Sequence, residues 1–269
     1  MPSYYFRSLL CSLLLPFALM SGQADAQPTA NPTDKQPRIR DKPFAVVEYF
    51  LTESSRSSRV PAENAFRMER QSQVTNDRLF VLVYHVDYLN TRGWRDPFGK
   101  PEFSERQEMY AAEFRHPRVE PTMTVINGSV YSPGNQYDLV MRNVNVAMRK
   151  KPKIGLEVHR RKGEGRSIQL DFTAHGADRI RREFFLFHAA VIEGERLSTV
   201  QAGANADYTF THTNIVHHLA SQRFDNDGRG SLEILLPGPD VANPDRLGII
   251  YFVQDPQTKE IWAAGRMKI

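Results

Sequence analysis

Two apolar runs of strand length lie early in the chain. Phe44–Phe50 reads FAVVEYF, and Asp77–Val83 reads DRLFVLV, whose last five residues are all apolar. Unbroken apolar runs of this length predict strands buried on both faces rather than the alternating pattern of a half-exposed sheet. Between them, Pro61–Gln71 has the spacing of a helix, with Ala62, Ala65, Phe66 and Met68 available to pack. Glu102–Phe114 repeats that spacing, Pro121–Ile126 reads as a further strand, and Asn127-Gly128 is a strong hairpin signal. Asn135–Lys150 closes the series as a helix, so residues 43–151 predict an α/β unit around a small sheet. From Lys153 the texture changes to alternation. Ile154, Leu156 and Val158 share one face, Ile168, Leu170 and Phe172 another, and Lys162–Gly165 turns between them. Strands over Arg182–Ile192, Tyr208–Leu219, Ser231–Leu236, Leu247–Val253 and Ile261–Met267 complete a β-rich, sandwich-like unit over 152–269.

The first residues belong to neither unit. Arg7, the short apolar run Leu9–Met20 and Ala24-Asp25-Ala26 have the layout of a signal peptide over 1–26, and 27–42 has the composition of a disordered lead-in. The apolar run contains Pro16 and is too short for a spanning helix, so no stable membrane span is expected after cleavage and the location is expected to be periplasmic or secreted. The only cysteine of the 269 residues is Cys11, which leaves with that segment. A chain without thiols has no disulfide, thiolate metal site, cysteine nucleophile or dithiol redox chemistry. A net charge of +4 is mild, and the basic clusters Arg149–Lys151 and His159–Lys162 carry no nucleic-acid-binding signature, so a nucleic-acid partner is not expected.

The candidate chemistry gathers in Tyr84–Gln107, YHVDYLNTRGWRDPFGKPEFSERQ, where a strand runs out into a loop. On a strand His85 and Asp87 would share a face with backbones about 6.6 Å apart, close enough for an acid–base pair or a shared metal, with Asp96 as a further carboxylate. No third ligand is evident, and hydrogen bonding between the two residues and the loop is the expected role. Tyr88, Trp94 and Phe98 could equally wall a ligand groove or plug the sheet edge. His212, His217 and His218 are too far apart on a strand to form one metal site and are expected on the surface or in the core. Asp225–Gly230 resembles the start of a calcium loop, but the ligand positions that should follow are Arg229 and Leu236, and a Gly-rich hairpin is expected instead. Ser55, Ser57 and Ser58 lack a local base and read as helix-capping serines.

Val46–Phe50, Tyr84–Tyr88, Gly93–Phe98, Pro101–Phe103, Arg106-Gln107 and Pro121–Met123 together resemble a family of secreted bacterial proteins of unknown function with a thioredoxin-like domain. Gly203–Asn205 and Asn214–Val216 extend the likeness into the second half. The resemblance implies a thioredoxin-like α/β domain over 43–151 followed by the β-rich, sandwich-like domain. Where that family carries Cys-Ser-Ser-Cys-Pro-Pro at a helix start, this chain has Ser55-Arg56-Ser57-Ser58-Arg59-Val60-Pro61. Read back from Pro61, Arg56 and Arg59 stand at the cysteine positions; read forward from the strand, Ser55 and Ser58 do. Pro121 resembles the proline that thioredoxin-like folds hold in cis beside the active turn. The family's Glu and Arg near the Gly-x-Asn element are here Ala204 and Tyr208.

The expectation is an exported protein without redox cysteines, metal or cofactor. It would be a binding or scaffold protein of the cell envelope that takes a peptide or protein partner in a groove formed by Pro121, Trp94, Phe98 and Tyr88. The alternative is a hydrolase or metal-dependent enzyme using His85, Asp87 and Asp96.

Overall fold

In the computed structural model, Leu79–His85 (β2) is buried at every position and apolar up to its closing histidine, and it has a neighbour on each side. On one side it pairs in parallel with Ala45–Leu51 (β1), in register from Ala45↔Leu79 to Leu51↔His85. On the other it meets Ile215–Arg223 (β10) in parallel at Ile215↔Val83, beside which Asn214 Nδ2 donates to Val81 O at 3.0 Å. The structure describes residues 42–75, 78–91, 93–176 and 185–269. The expected signal peptide, the lead-in up to residue 41, Asp77 and residues 182–184 of the strand expected from Arg182 lie outside them.

Around β2 the chain builds one mixed eight-stranded sheet. Beyond β1 come Met123–Ile126 (β3) and Val130–Pro133 (β4), joined through Asn127 and Gly128, which both take positive φ (46° and 66°) as a tight primed turn requires. Beyond β10 come Leu186–Glu193 (β7), Leu247–Gln254 (β12) and Ile261–Lys268 (β13), all antiparallel to their neighbours. Gly155–Lys162 (β5), Ser167–His175 (β6) and Arg229–Leu235 (β11) form a three-stranded sheet, and Arg196–Thr199 (β8) pairs with Thr209–His212 (β9). The three α-helices among the described residues are Arg59–Thr75 (α1), Pro101–Glu113 (α2) and Tyr137–Ala147 (α3).

This corrects the expected fold class. The chain is mostly β-strand around one large mixed sheet, not a thioredoxin-like α/β domain followed by a β-rich domain. The expected boundary at 151/152 falls between α3 and β5, and strands from both sides of it share the sheet. The reason is pairing: a strand apolar on both faces is stable only in a sheet interior, and the edge that β1 leaves open on β2 is filled by β10 from the second half. The peptide before Pro121 is trans, not cis. Pro121 and Thr122 form an ordinary turn into β3, which the trans form favoured at X–Pro bonds accommodates.

Both sheet faces are covered. α1 and α3 pack Ala62, Ala65, Met68, Val140 and Val144 onto Val47, Tyr49, Val81 and Val83, while the three-stranded sheet packs Leu170, Phe172 and Ile234 onto Phe187, Val191 and Tyr251. On the opposite face α2 lays Phe103 and Tyr110 over Phe50, Tyr84, Val216 and Phe252. Into this second core the sequence places Glu48, fully buried. Arg106 Nε of α2 donates to Glu48 Oε2 at 2.6 Å, and Tyr110 OH donates to Glu48 Oε1 at 2.6 Å. Gln254 Nε2 donates to Tyr110 OH at 2.8 Å, tying β12 to the same group.

Because a buried charge stripped of its partner keeps its desolvation cost, Arg106→Leu is expected to lower unfolding free energy by about 3–5 kcal/mol. Chemical denaturation should show Glu48→Leu/Arg106→Leu recovering most of that loss.

Candidate functional site

The carboxyl ends of β1 and β2 lie side by side, Leu51 opposite His85, and the residues just beyond them form the densest buried polar cluster among those described. β1 runs into the turn Thr52-Glu53-Ser54, and β2 into the loop 86–100. The loop is fixed by Asp96. Its Oδ2 accepts the Glu53 N–H at 2.7 Å and lies 2.8 Å from His85 Nδ1, and its Oδ1 accepts the Phe98 N–H at 2.9 Å. Asn90 Oδ1 accepts the Asp96 N–H at 3.0 Å, and the His85 carbonyl accepts the Lys100 N–H at 3.0 Å.

Glu53 is the second centre. Oε1 lies 2.9 Å from His212 Nε2 at the end of β9, Oε2 accepts from Trp94 Nε1 at 3.1 Å, and its carbonyl accepts from Asn205 Nδ2 at 2.7 Å. The His85 and His212 rings meet edge to face with centroids 4.7 Å apart. Glu53, His85, Asp96 and His212 are all at most 2% exposed. Burial pushes the Asp96 carboxyl upward, but the facing His85 and the Glu53 and Phe98 N–H groups hold it below the usual carboxylate range. Burial lowers His212 below the usual imidazole value, against the opposing hydrogen bond to Glu53. The four therefore form two imidazole–carboxylate pairs closed off from solvent.

His85 does not pair with Asp87. β2 ends at His85, so strand alternation stops before Asp87, whose Oδ1 instead accepts from Ser104 Oγ of α2 at 2.6 Å. The four expected groove residues are each tied to different partners. Trp94 is bound to Glu53, Phe98 packs edge-on to His85 and His212, and Tyr88 is half-buried near Gln107 and Glu120. Pro121 gives its carbonyl to Ser58 Oγ at 3.1 Å.

The turn that carries the candidate arginines is equally occupied. Ser58 is buried and accepts the Thr52 N–H at 3.0 Å; Ser55 and Ser57 are bonded to each other at the surface. Arg56 Nε donates to Ala204 O and Arg59 Nε to Asn205 Oδ1, each at 2.7 Å, and the Arg59 guanidinium stacks 4.0 Å above the Tyr208 ring. Both arginines thus clamp the Gly203–Asn205 turn over the end of α1. Asp225 accepts the Asp227 and Arg229 N–H groups within a turn that carries the chain from β10 in the large sheet to β11 in the three-stranded one, so the turn is not the expected hairpin.

The sequence pattern does not mark Glu53 or Glu193 as site residues, it gives Asn205 only as part of the family likeness, and it leaves His212 and His217 as surface or core residues. Glu53 sat in a stretch that scanned as a polar turn, and its partners are distant in sequence. Glu193 closes β7, where its carboxylate lies 2.9 Å from His217 Nε2 and accepts from Arg196 Nη1 at 2.9 Å and the Asn243 N–H at 3.0 Å. Burial opposes ionisation, yet these donors bring Glu193 down to about 2.

Next to this pair opens a cavity of about 330 Å³, lined by Phe98, Lys100, Arg166, His217, His218 and the apolar stretch that starts at Leu235. A second, of about 490 Å³, lies against Glu193, Arg196 and Arg246. Among the described residues no group of three or more histidine and acidic side chains has a metal-holding arrangement, and no helix is long and apolar enough to cross a membrane.

A family model described as a protein of unknown function (DUF1223) matches residues 46–254. The chain belongs to the DUF1223 family. No curated protein matches this DUF1223 chain. Solved structures also resemble it, among them the following two. One is a crystal structure of a protein from Agrobacterium tumefaciens, with a TM-score of 0.59, 19% identity, and coverage of 83% of this chain and 93% of that one. The other is HBP35 of Porphyromonas gingivalis, with a TM-score of 0.54, 12% identity, and coverage of 85% and 76%. At these identities the likeness is one of fold.

Two outcomes follow from the site. Glu193 has a folded-state pKa below its ordinary 4.5, so its contribution to stability is complete above that value and is lost as pH falls toward about 2. The unfolding free-energy gap between the native protein and Glu193→Gln is expected to be flat above about pH 6 and to shrink on acidification, as urea titrations across pH would show. Trp94→Phe removes a donor to a fully buried carboxylate, and denaturation should register a loss of about 1–3 kcal/mol.

Proposed function

We propose that this DUF1223 protein is an exported, non-catalytic binding protein of the cell envelope. The observation that carries this reading is closure. The imidazole–carboxylate pairs His85–Asp96 and His212–Glu53 are sealed from solvent, and the pair that borders an open cavity, His217–Glu193, has its His217 Nε2 already committed to the carboxylate. The 330 Å³ cavity that is open has no serine, threonine or acidic group in its lining. An apolar concavity with a few convergent polar groups is what a ligand site requires, and nucleophilic catalysis needs an accessible nucleophile beside its base. Export is supported by the signal-like 1–26, and thiol exchange is disfavoured because Cys11 is the sole cysteine.

A second reading is favoured by one contact, the 2.8 Å His85–Asp96 pair, which is how a general base is oriented in acyl-transfer and hydrolytic enzymes.

The test uses the protein purified after export, or its Cys11→Ser form. It is expected to leave insulin disulfides intact and to turn over chromogenic esters and phosphoesters only at background rates, unchanged by His85→Gln. A small-molecule extract of the cell envelope is expected to raise its Tm. Turnover that disappears in His85→Gln would replace the binding reading with the enzymatic one, and thiol-dependent insulin reduction would overturn the non-catalytic assignment.

A further inference from the structure

The 330 Å³ cavity exists because of an irregularity in the large sheet. β10 pairs with β7 at Val216↔Ile192 and resumes at His218↔Val191, leaving His217 as an extra, unpaired residue, a β-bulge. Successive side chains on a regular strand point to opposite faces, so His217 and His218 could not both line one cavity there. The bulge re-aims them so that both do. The carbonyl freed from the ladder at His217 is taken up by Lys100 Nζ at 2.5 Å, which draws the cation of the 97–100 loop to the cavity wall.

His217 is held firmly. Glu193 accepts from its Nε2, so that nitrogen carries the proton, and Glu193 is itself fixed by Arg196 and the Asn243 N–H. Arg196 in turn lies 5.0 Å from the centroid of the Phe98 ring. Across the opening Arg166 is exposed and, among the described residues, in no ion pair. Its Nη1 comes within 2.4 Å of where a Cβ on Gly238 would stand, so the guanidinium lies close against the bare backbone of the rim. Asp240 Oδ1 is 2.3 Å from that same point but belongs to the wall of the neighbouring cavity, and Glu102 lies 3.7 Å from Lys100. None of the residues that line this cavity is acidic.

The remaining wall is apolar and open to water. Leu235 is 61% exposed and Val241 48%, and with Phe98 and Leu236 they form a continuous hydrophobic lining beside the cations. The lining thus combines two cations and two imidazoles with an apolar surface, which complements a molecule that carries both an oxyanion and an apolar chain. Building on the reading of the protein as a binder, we infer that this cavity binds a single-chain amphiphile with an oxyanion head, the head meeting Arg166, Lys100 and His218 and the chain lying on Phe98, Leu235 and Val241. A carboxylate and a phosphate monoester share that chemistry.

Isothermal titration calorimetry on the exported protein decides the matter, with decanoate, decyl phosphate, decanol and decyltrimethylammonium as probes below their micellar concentrations. One decanoate or one decyl phosphate is expected per chain, and whichever binds more tightly identifies the head group. Decanol is expected to bind at least tenfold more weakly and the cationic probe not at all. Arg166→Gln and Leu235→Ser, both at exposed positions, should each weaken the anion by about fivefold or more, while Lys150→Gln, outside the cavity, leaves it unchanged. Equal binding of decanol and decanoate, or full affinity in both Arg166→Gln and Leu235→Ser, would overturn the assignment. If neither anion binds yet the envelope extract still raises Tm, the ligand class is wrong and the binding reading stands. If neither anion nor extract acts, both fall.

Discussion

A carboxylate removed completely from water must find its solvation within the protein, and Glu53 finds it by drawing in three segments. Its side chain meets His212 from the end of β9 and Trp94 from the 86–100 loop, its carbonyl meets Asn205, and its N–H meets Asp96. Unpaired, such a group would cost several kcal/mol, so loop, turn and strand end are held wherever the carboxylate needs them. The clamp of Arg56 and Arg59 on the Gly203–Asn205 turn works on the same ground from outside, closing the second half of the chain over the first. The same cluster that resembles a catalytic constellation by composition also joins distant parts of one chain.

Much of the secondary structure was legible in the sequence. FAVVEYF and LFVLV read as interior strands, Asn127-Gly128 as a tight turn, and Glu102–Phe114 carries the helical spacing of α2. The sheet that unites the halves was not legible, because pairing between β2 and β10 is non-local and periodicity reports only local geometry. A hint was present: LFVLV is apolar on both faces, so β2 needs neighbours on both edges, and the first half supplies one. The mixed sheet then follows from filling the other edge.

The candidate site was legible in part for the same reason. His85 and Asp96 lay in the most distinctive stretch and the structure brings them together, whereas the i,i+2 logic that joined His85 to Asp87 failed because the strand stops at His85. Glu53 and His212 are 159 residues apart, and no spacing rule reaches across that distance. The bulge that sets His217 and His218 side by side leaves no mark in composition; it is visible only as a slip in pairing with β7.

The placement of β10 against β2 also bears on how the chain is made. Asn214 reaches back 133 residues to Val81, so during synthesis the interior strand β2 waits with one edge unpaired until nearly four-fifths of the chain has emerged. An apolar strand with an open edge is the most aggregation-prone element a nascent protein can present. The large sequence separation of the two strands makes closure of that edge slow. The same pairing that gives the sheet its continuity therefore leaves β2 with an exposed apolar edge while β10 is still to come.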